Sequence, residues 1–186
     1  MPILWGRATD ERLSVLLSEA KQADYSYSAL GMTRGEAPAE YRIERRSEVL
    51  GDDDLTWSRA VTGLRLWQAH RGAGANVVPP DAPILEGTTV LVTLGVPGCT
   101  MVAPCRVVYL TDEPDVFGFG YGTLSGHPEE GEESFSVRRI DGKVQFEVVA
   151  ISRPASLVTR LGGPIARRVQ SRMTERYLKG LAAFVS

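Results

Sequence analysis

The sequence predicts an α+β fold in which a curved antiparallel β-sheet grips a long C-terminal α-helix. Three observations carry this. Between residues 88 and 151, strand-like runs follow one another with only turn residues between them, as hairpin-linked antiparallel strands do. From residue 165 the pattern becomes an apolar stripe at helical spacing: Ile165, Val169, Met173, Tyr177, Leu178 and Leu181. The run 117–124 sets Phe117, Phe119, Tyr121 and Thr123 on one face, opposite Gly118, Gly120, Gly122 and Leu124. Phe135 and Val137 share a parity, as do Val144, Phe146 and Val148, while Ser134, Ser136, Arg138, Gln145 and Glu147 take the other. One sheet face is therefore aromatic and apolar, and the C-terminal stripe is its natural cover.

The elements follow in order. Thr9-Asp10-Glu11 starts a helix with a capping residue and early acids, and Leu13, Leu16, Leu17 and Ala20 continue it to about Asp24. Tyr25, Tyr27 and Gly31 read as a loop whose tyrosines tether it to the body, with a place at a pocket rim as the alternative. Residues 41–50 read as a strand with Tyr41, Ile43 and Val49 on one parity and charges on the other, the pattern of a sheet wetted on one face. Asp52, Asp53 and Asp54 open a helix from Leu55 to about Ala69, and His70 at its end suits the helix dipole as a cation. Val77-Val78 is a short strand, and Pro79-Pro80-Asp81-Ala82-Pro83 is a stiff connector. Strands follow at 88–93 and 105–111, along the aromatic–glycine run, at 134–140 and at 144–151, with Asp141-Gly142 as a hairpin turn. Residues 155–161 form a turn or two, and Pro164 suits the first turn of the last helix. The three alternating glycines serve either to bend a strand or to admit another backbone or a ligand, and bending suffices.

A chain of 186 residues with 43% apolar and 24% charged residues can bury one full core. A net charge of −2 provides no field for nucleic acid. No apolar run approaches a membrane span, and the N-terminus lacks the pattern of a secretion signal, so a cytoplasmic protein is expected. Cys99 and Cys105 read as reduced thiols with no metal-binding spacing. The basic residues Arg160, Arg167, Arg168, Arg172, Arg176 and Lys179 read as a solvated helix face, with a partner-binding surface as the alternative.

A long helix in the concave face of an antiparallel sheet resembles the helix-grip arrangement of the START and Bet v 1-like proteins. A closer resemblance rests on longer motifs. These are Cys105-Arg106-Val107-Val108-Tyr109; Phe117-Gly118-Phe119-Gly120-Tyr121-Gly122-Thr123-Leu124-Ser125-Gly126-His127-Pro128; Glu129-x-Gly131-Glu132-Glu133-x-Phe135; and Phe146-x-Val148-x-Ala150-x-Ser152-Arg153-Pro154. Pro79-Pro80-Asp81-Ala82-Pro83-Ile84 and Leu161-Gly162-Gly163-Pro164 add to them. Together they resemble the bacterial and plant family called domain of unknown function 1990. The likeness covers residue 25 onward and implies one domain over 1–186, with 1–24 as a helical extension. It implies no activity.

The candidate polar constellation is Arg106, Tyr121, Thr123, His127, Glu132, Glu133 and Arg153. Glu133 shares the parity of Phe135 and is expected to point inward, where a carboxylate needs a partner; Arg106 and Arg153 are available. His127 precedes four glutamates, which would raise its pKa. The expected ligand-binding residues are Arg106, Phe117, Phe119, Tyr121, Thr123, Phe135, Phe146 and Arg153, around a small hydrophobic or amphipathic molecule. The alternative is a pocket enzyme of cyclase, dehydratase or hydrolase type using Tyr121, His127 and Glu133. A corner clamp built from His127, Glu133 and an arginine competes with both. No metal or cofactor is expected.

Overall fold

The computed structural model describes residues 3–6, 8–155 and 163–186; of residue 3 and residues 163–170 it describes the backbone only. The chain begins with β1 (Ile3–Trp5) and α1 (Asp10–Gln22), then β2 (Arg42–Gly51), α2 (Asp54–Arg65) and α3 (Gln68–Gly72). Strands β3 (Ala75–Val78), β4 (Thr89–Val96), β5 (Cys99–Glu113), β6 (Val116–Thr123), β7 (Glu129–Ile140) and β8 (Lys143–Pro154) follow, and α4 (Gly163–Val185) ends the chain. The expected turn at 155–161, the side chains of Ile165 and Val169, and Arg160, Arg167 and Arg168 lie outside the described residues.

The strands form one antiparallel sheet in the order β2-β8-β7-β6-β5-β4-β3, with β1 paired to β5. Strands β3 to β8 are sequential neighbours, as hairpin chemistry dictates. Asp141 (φ 50°) and Gly142 (φ 74°) form the two-residue turn between β7 and β8. Two pairings are long-range: β1 on β5, and β2 on β8, where Glu44 faces Ala150.

Helices α2, α3 and α4 cover the inner face. Phe117, Phe119, Phe135 and Phe146 are buried there with Leu64, Trp67, Tyr177, Leu181 and Val185. Each buried phenylalanine contributes on the order of 1.5–3 kcal/mol, so these rings anchor the domain. Helix α3 crosses α4 closely: a Cβ on Gly72 would stand 2.4 Å from the Gly180 Cα. The outer face is covered by α1, through Ala20 against Leu91, Val102 and Leu124, and by the loop 25–41, through Tyr27 and Met32 against Val149 and Ile151.

Two expectations need correction. The helix opened by Asp53, whose carboxylate accepts from the Thr56 N–H at 2.6 Å, does not run to Ala69. It stops at Arg65, because Trp67 adopts a left-handed conformation (φ 57°) that turns its indole into the core, with its N–H on the Ala82 carbonyl at 2.8 Å. Burying an indole outweighs the roughly 1–2 kcal/mol of that backbone conformation. Strand β2 is also inverted relative to its pattern: Ile43 and Val49 are exposed (56% and 53%), whereas Glu44 is buried. The charged parity faces inward because β2 closes the polar end of the sheet. There Arg42 and Arg46 pair with Glu44 at 3.2 and 3.0 Å, and Arg46 reaches Glu175 and Ser171 of α4.

Candidate functional site

The register lays the inner face out as rows. Phe146, Val137 and Phe117 are neighbours across three strands, and Val148, Phe135 and Phe119 are neighbours in the next inward row. One step further the chemistry changes to Glu44, Ala150, Glu133, Tyr121 and Val107. Beyond that come Arg42 and Ser152, with Glu129 one strand over near the end of the sheet. The same face is thus apolar at one end and ionisable at the other.

A chain of hydrogen-bonding groups stands at the boundary. The Tyr121 hydroxyl donates to Glu133 Oε2 at 2.7 Å and lies 3.2 Å from His70 Nε2. The His70 ring packs against Phe135 and Tyr177, with centroids 4.7 and 4.8 Å apart, and edge-on to Trp67. Burial lowers His70 from 6.5 to about 3, so its imidazole is neutral. Burial likewise drives the Tyr121 and Tyr177 phenols well above their usual range, with the Glu133 charge adding to it.

Glu133 is the unusual member. Burial raises its carboxyl from 4.5 to about 7; the Tyr121 hydrogen bond opposes the rise, and Glu129 and Glu44 add to it. Among the described residues no cation bonds to it. Yet Glu133 keeps accessible surface, whereas Glu132, Ser134 and Phe135 beside it are buried. Glu129, also half-buried, is raised by burial too. No group of three or more His, Cys, Asp or Glu among the described residues could hold a metal.

The other expected site residues are placed differently. His127 joins neither Tyr121 nor Glu133: its Nδ1 sits against the backbone N–H and carbonyl of Glu129 at 3.0 and 2.8 Å, where it fixes the corner. Its pKa is lowered to about 4, not raised, because burial outweighs the hydrogen bond to the Glu129 backbone. Arg106 points to the outer side, capping α1 through the Ala20, Lys21 and Ala23 carbonyls at 3.0 to 3.1 Å and donating to Thr89. Arg153 pairs with Glu130 and Glu40. Neither arginine serves Glu133. Thr123 bonds Ser26 and the Gly131 backbone and so ties loop to sheet. Phe117, Phe119, Phe135 and Phe146 are at most 1% exposed, so the rings expected to line a pocket are solid core, filled by Trp67 and α4.

The alternating glycines also serve otherwise than by bending alone. A Cβ on Gly120 would meet the Tyr109 ring at 2.5 Å, and one on Gly122 the Tyr27 hydroxyl at 2.2 Å, so they admit two tyrosines onto the outer face.

His70 and Glu44 escaped the sequence reading. For His70 the signal was its spacing of three from Trp67, which extends the apolar stripe of Ala60, Leu64 and Trp67; the expected cation is a buried neutral ring. For Glu44 it was the shared parity with Leu50, which packs on the core.

The comparisons with known proteins agree with this architecture. A "UPF0548 protein" of Deinococcus radiodurans is 31% identical over 93% of each chain, and "UPF0548 protein At2g17695" of Arabidopsis thaliana is 25% identical over 88% of this chain and 87% of its own. A crystal structure of a hypothetical protein of Helicobacter pylori shares the fold at a TM-score of 0.58 and 12% identity, covering 88% of this chain and all of the other. The family model described as "Domain of unknown function (DUF1990)" matches residues 26–180, and the chain belongs to that family.

Proposed function

We propose that the protein holds a small amphipathic molecule at the polar end of the inner face, beside Tyr177 of α4. One observation carries this: Glu133 is desolvated, free of any described cation, and still accessible. Such a carboxyl is a ready acceptor for an amine or hydroxyl head group, and Tyr121 orients it. The neighbouring rows of valine and phenylalanine suit an apolar body at the mouth of the packed core. The test uses N-phenyl-1-naphthylamine, a neutral apolar probe with one N–H donor, alongside native mass spectrometry of freshly purified protein. Saturable fluorescence, weakened about tenfold in Glu133→Leu, is the expected result, since a lost hydrogen bond to a charged acceptor is worth that much. A bare protein mass together with non-saturable fluorescence would overturn the reading.

A second reading, acid–base catalysis, is favoured by the continuous link from His70 through Tyr121 to Glu133. A carboxyl held near 7 is matched to proton transfer at neutral pH. It requires the captured molecule to be converted on incubation with the protein, read by its mass and its proton NMR spectrum; an unchanged mass and spectrum leave the holding function.

A further inference from the structure

The outer face carries a recess of its own, on the opposite side of the sheet from Glu133. It has a volume of about 260 Å³ and lies beside the edge of the loop 25–41. Its floor is Gly118 of β6 with Ser134 and Ser136 of β7; Gly118 and Ser136 are direct cross-strand partners. Arg34, Arg45 and Arg138 surround it, against one carboxylate, Glu147. Arg34 is held in place: its guanidinium lies 3.7 Å from the Tyr109 ring centroid and donates to the Leu110 carbonyl at 3.1 Å and to Thr111 Oγ1. Arg45 is held by Glu147 at 3.0 Å. Arg138 is exposed, and among the described residues it has no ion pair; the half-buried Ser136 hydroxyl likewise has no described partner.

We infer that this recess binds a small oxyanion ligand, a phosphate monoester, through Arg34, Arg45 and Arg138 with the Ser136 hydroxyl beneath, the Ser134 hydroxyl being engaged by Tyr109. The charge balance is three guanidinium groups to one carboxylate, so an anion completes it. Two of the three forks are already oriented by neighbours, which reduces the ordering needed on binding. The Ser136 hydroxyl can rotate to donate to a ligand oxygen, and the absent side chain at Gly118 lets the ligand approach the strand. The volume is at the small end for ligand sites and suits one phosphorylated small molecule.

The experiment is a titration of the full chain with glycerol 3-phosphate at constant ionic strength, followed by amide and arginine Nε–H NMR signals. Citrate and sodium chloride serve as comparison arms. Saturable shifts confined to residues 118, 134, 136 and the three arginines are expected below about 10 mM. Arg138→Gln should weaken binding about tenfold, and because Arg138 is exposed and has no ion pair among the described residues, the variant keeps its fold. Equal binding of citrate would assign the recess to carboxylates and overturn the phosphate assignment. Shifts reproduced by sodium chloride, no saturation, or unchanged affinity in both Arg138→Gln and Ser136→Ala would overturn the site itself.

Discussion

Glu132 and Glu133 are adjacent in the chain and opposite in almost every other respect. Glu132 points to the outer face and is buried at 3% exposure under the loop 25–41. It accepts from the Tyr27 hydroxyl and the Gly31 N–H at 2.8 Å, from the Thr33 N–H at 3.1 Å, and from the Thr33 hydroxyl. Glu133 points to the inner face and has one described donor, Tyr121. The alternation of a strand sends the two carboxylates to different surroundings, and those surroundings divide the labour. A carboxylate enclosed by donors fixes a loop. A carboxyl denied donors is held near neutrality and left open to a visitor.

The contrast can be broken most severely from the outer side. Glu132→Ala removes the acceptor for four donors at the loop 25–41 and should cost about 3 kcal/mol in urea unfolding. A loss below about 1 kcal/mol would mean that the clamp is not structural. Next, Gly122→Ala drives a methyl to within 2.2 Å of the Tyr27 hydroxyl and should displace the loop, at about 2 kcal/mol. Faster amide exchange at Gly31 and Thr33 would report it; unchanged protection would speak against the contact.

From the inner side the signature is pH. Glu133 rises from 4.5 to about 7 on folding, so across that window the folded chain keeps a proton that the unfolded chain releases. Its contribution is complete below 4.5 and is lost as pH climbs through 7. His70 runs the other way: lowered from 6.5 to about 3, it weakens the fold as pH falls through that range. Glu133→Gln should therefore be more stable than the wild type above about pH 7 by about 1–2 kcal/mol, with little difference near the acid end. Equal slopes of stability against pH for the two proteins between 4.5 and 7 would refute it. The smallest expected effect is that of Tyr121→Phe, about 1 kcal/mol, with the Glu133 carboxyl titrating at higher pH in carbon-detected NMR because its one described donor is gone.

Much of the fold was legible because its signals are local. Alternation along 117–123 and 134–140, turn chemistry at Asp141-Gly142 and the stripe of Met173, Tyr177 and Leu181 each depend on neighbours in the chain. The site was legible only in part. Parity was enough to point Tyr121 and Glu133 inward. His127 misled because a histidine beside glutamates suggests ion pairing, whereas its ring is enclosed and satisfied by the Glu129 backbone. Arg106 misled because its parity sends it to the helix α1 carbonyls.

By itself the sequence determined the hairpin order of β4 to β8, the two chemically distinct faces of β6 and β7, and a C-terminal helix with an apolar stripe. Only the tertiary structure decided that β2 closes on β8 with its charged side inward. Only packing decided that the four phenylalanines are core and that His70, brought by a left-handed Trp67, meets Tyr121. The physical reason is range. Periodicity and turn propensity act over a few residues, whereas a buried charge or imidazole is settled by whatever distant side chain reaches it once the sheet has formed.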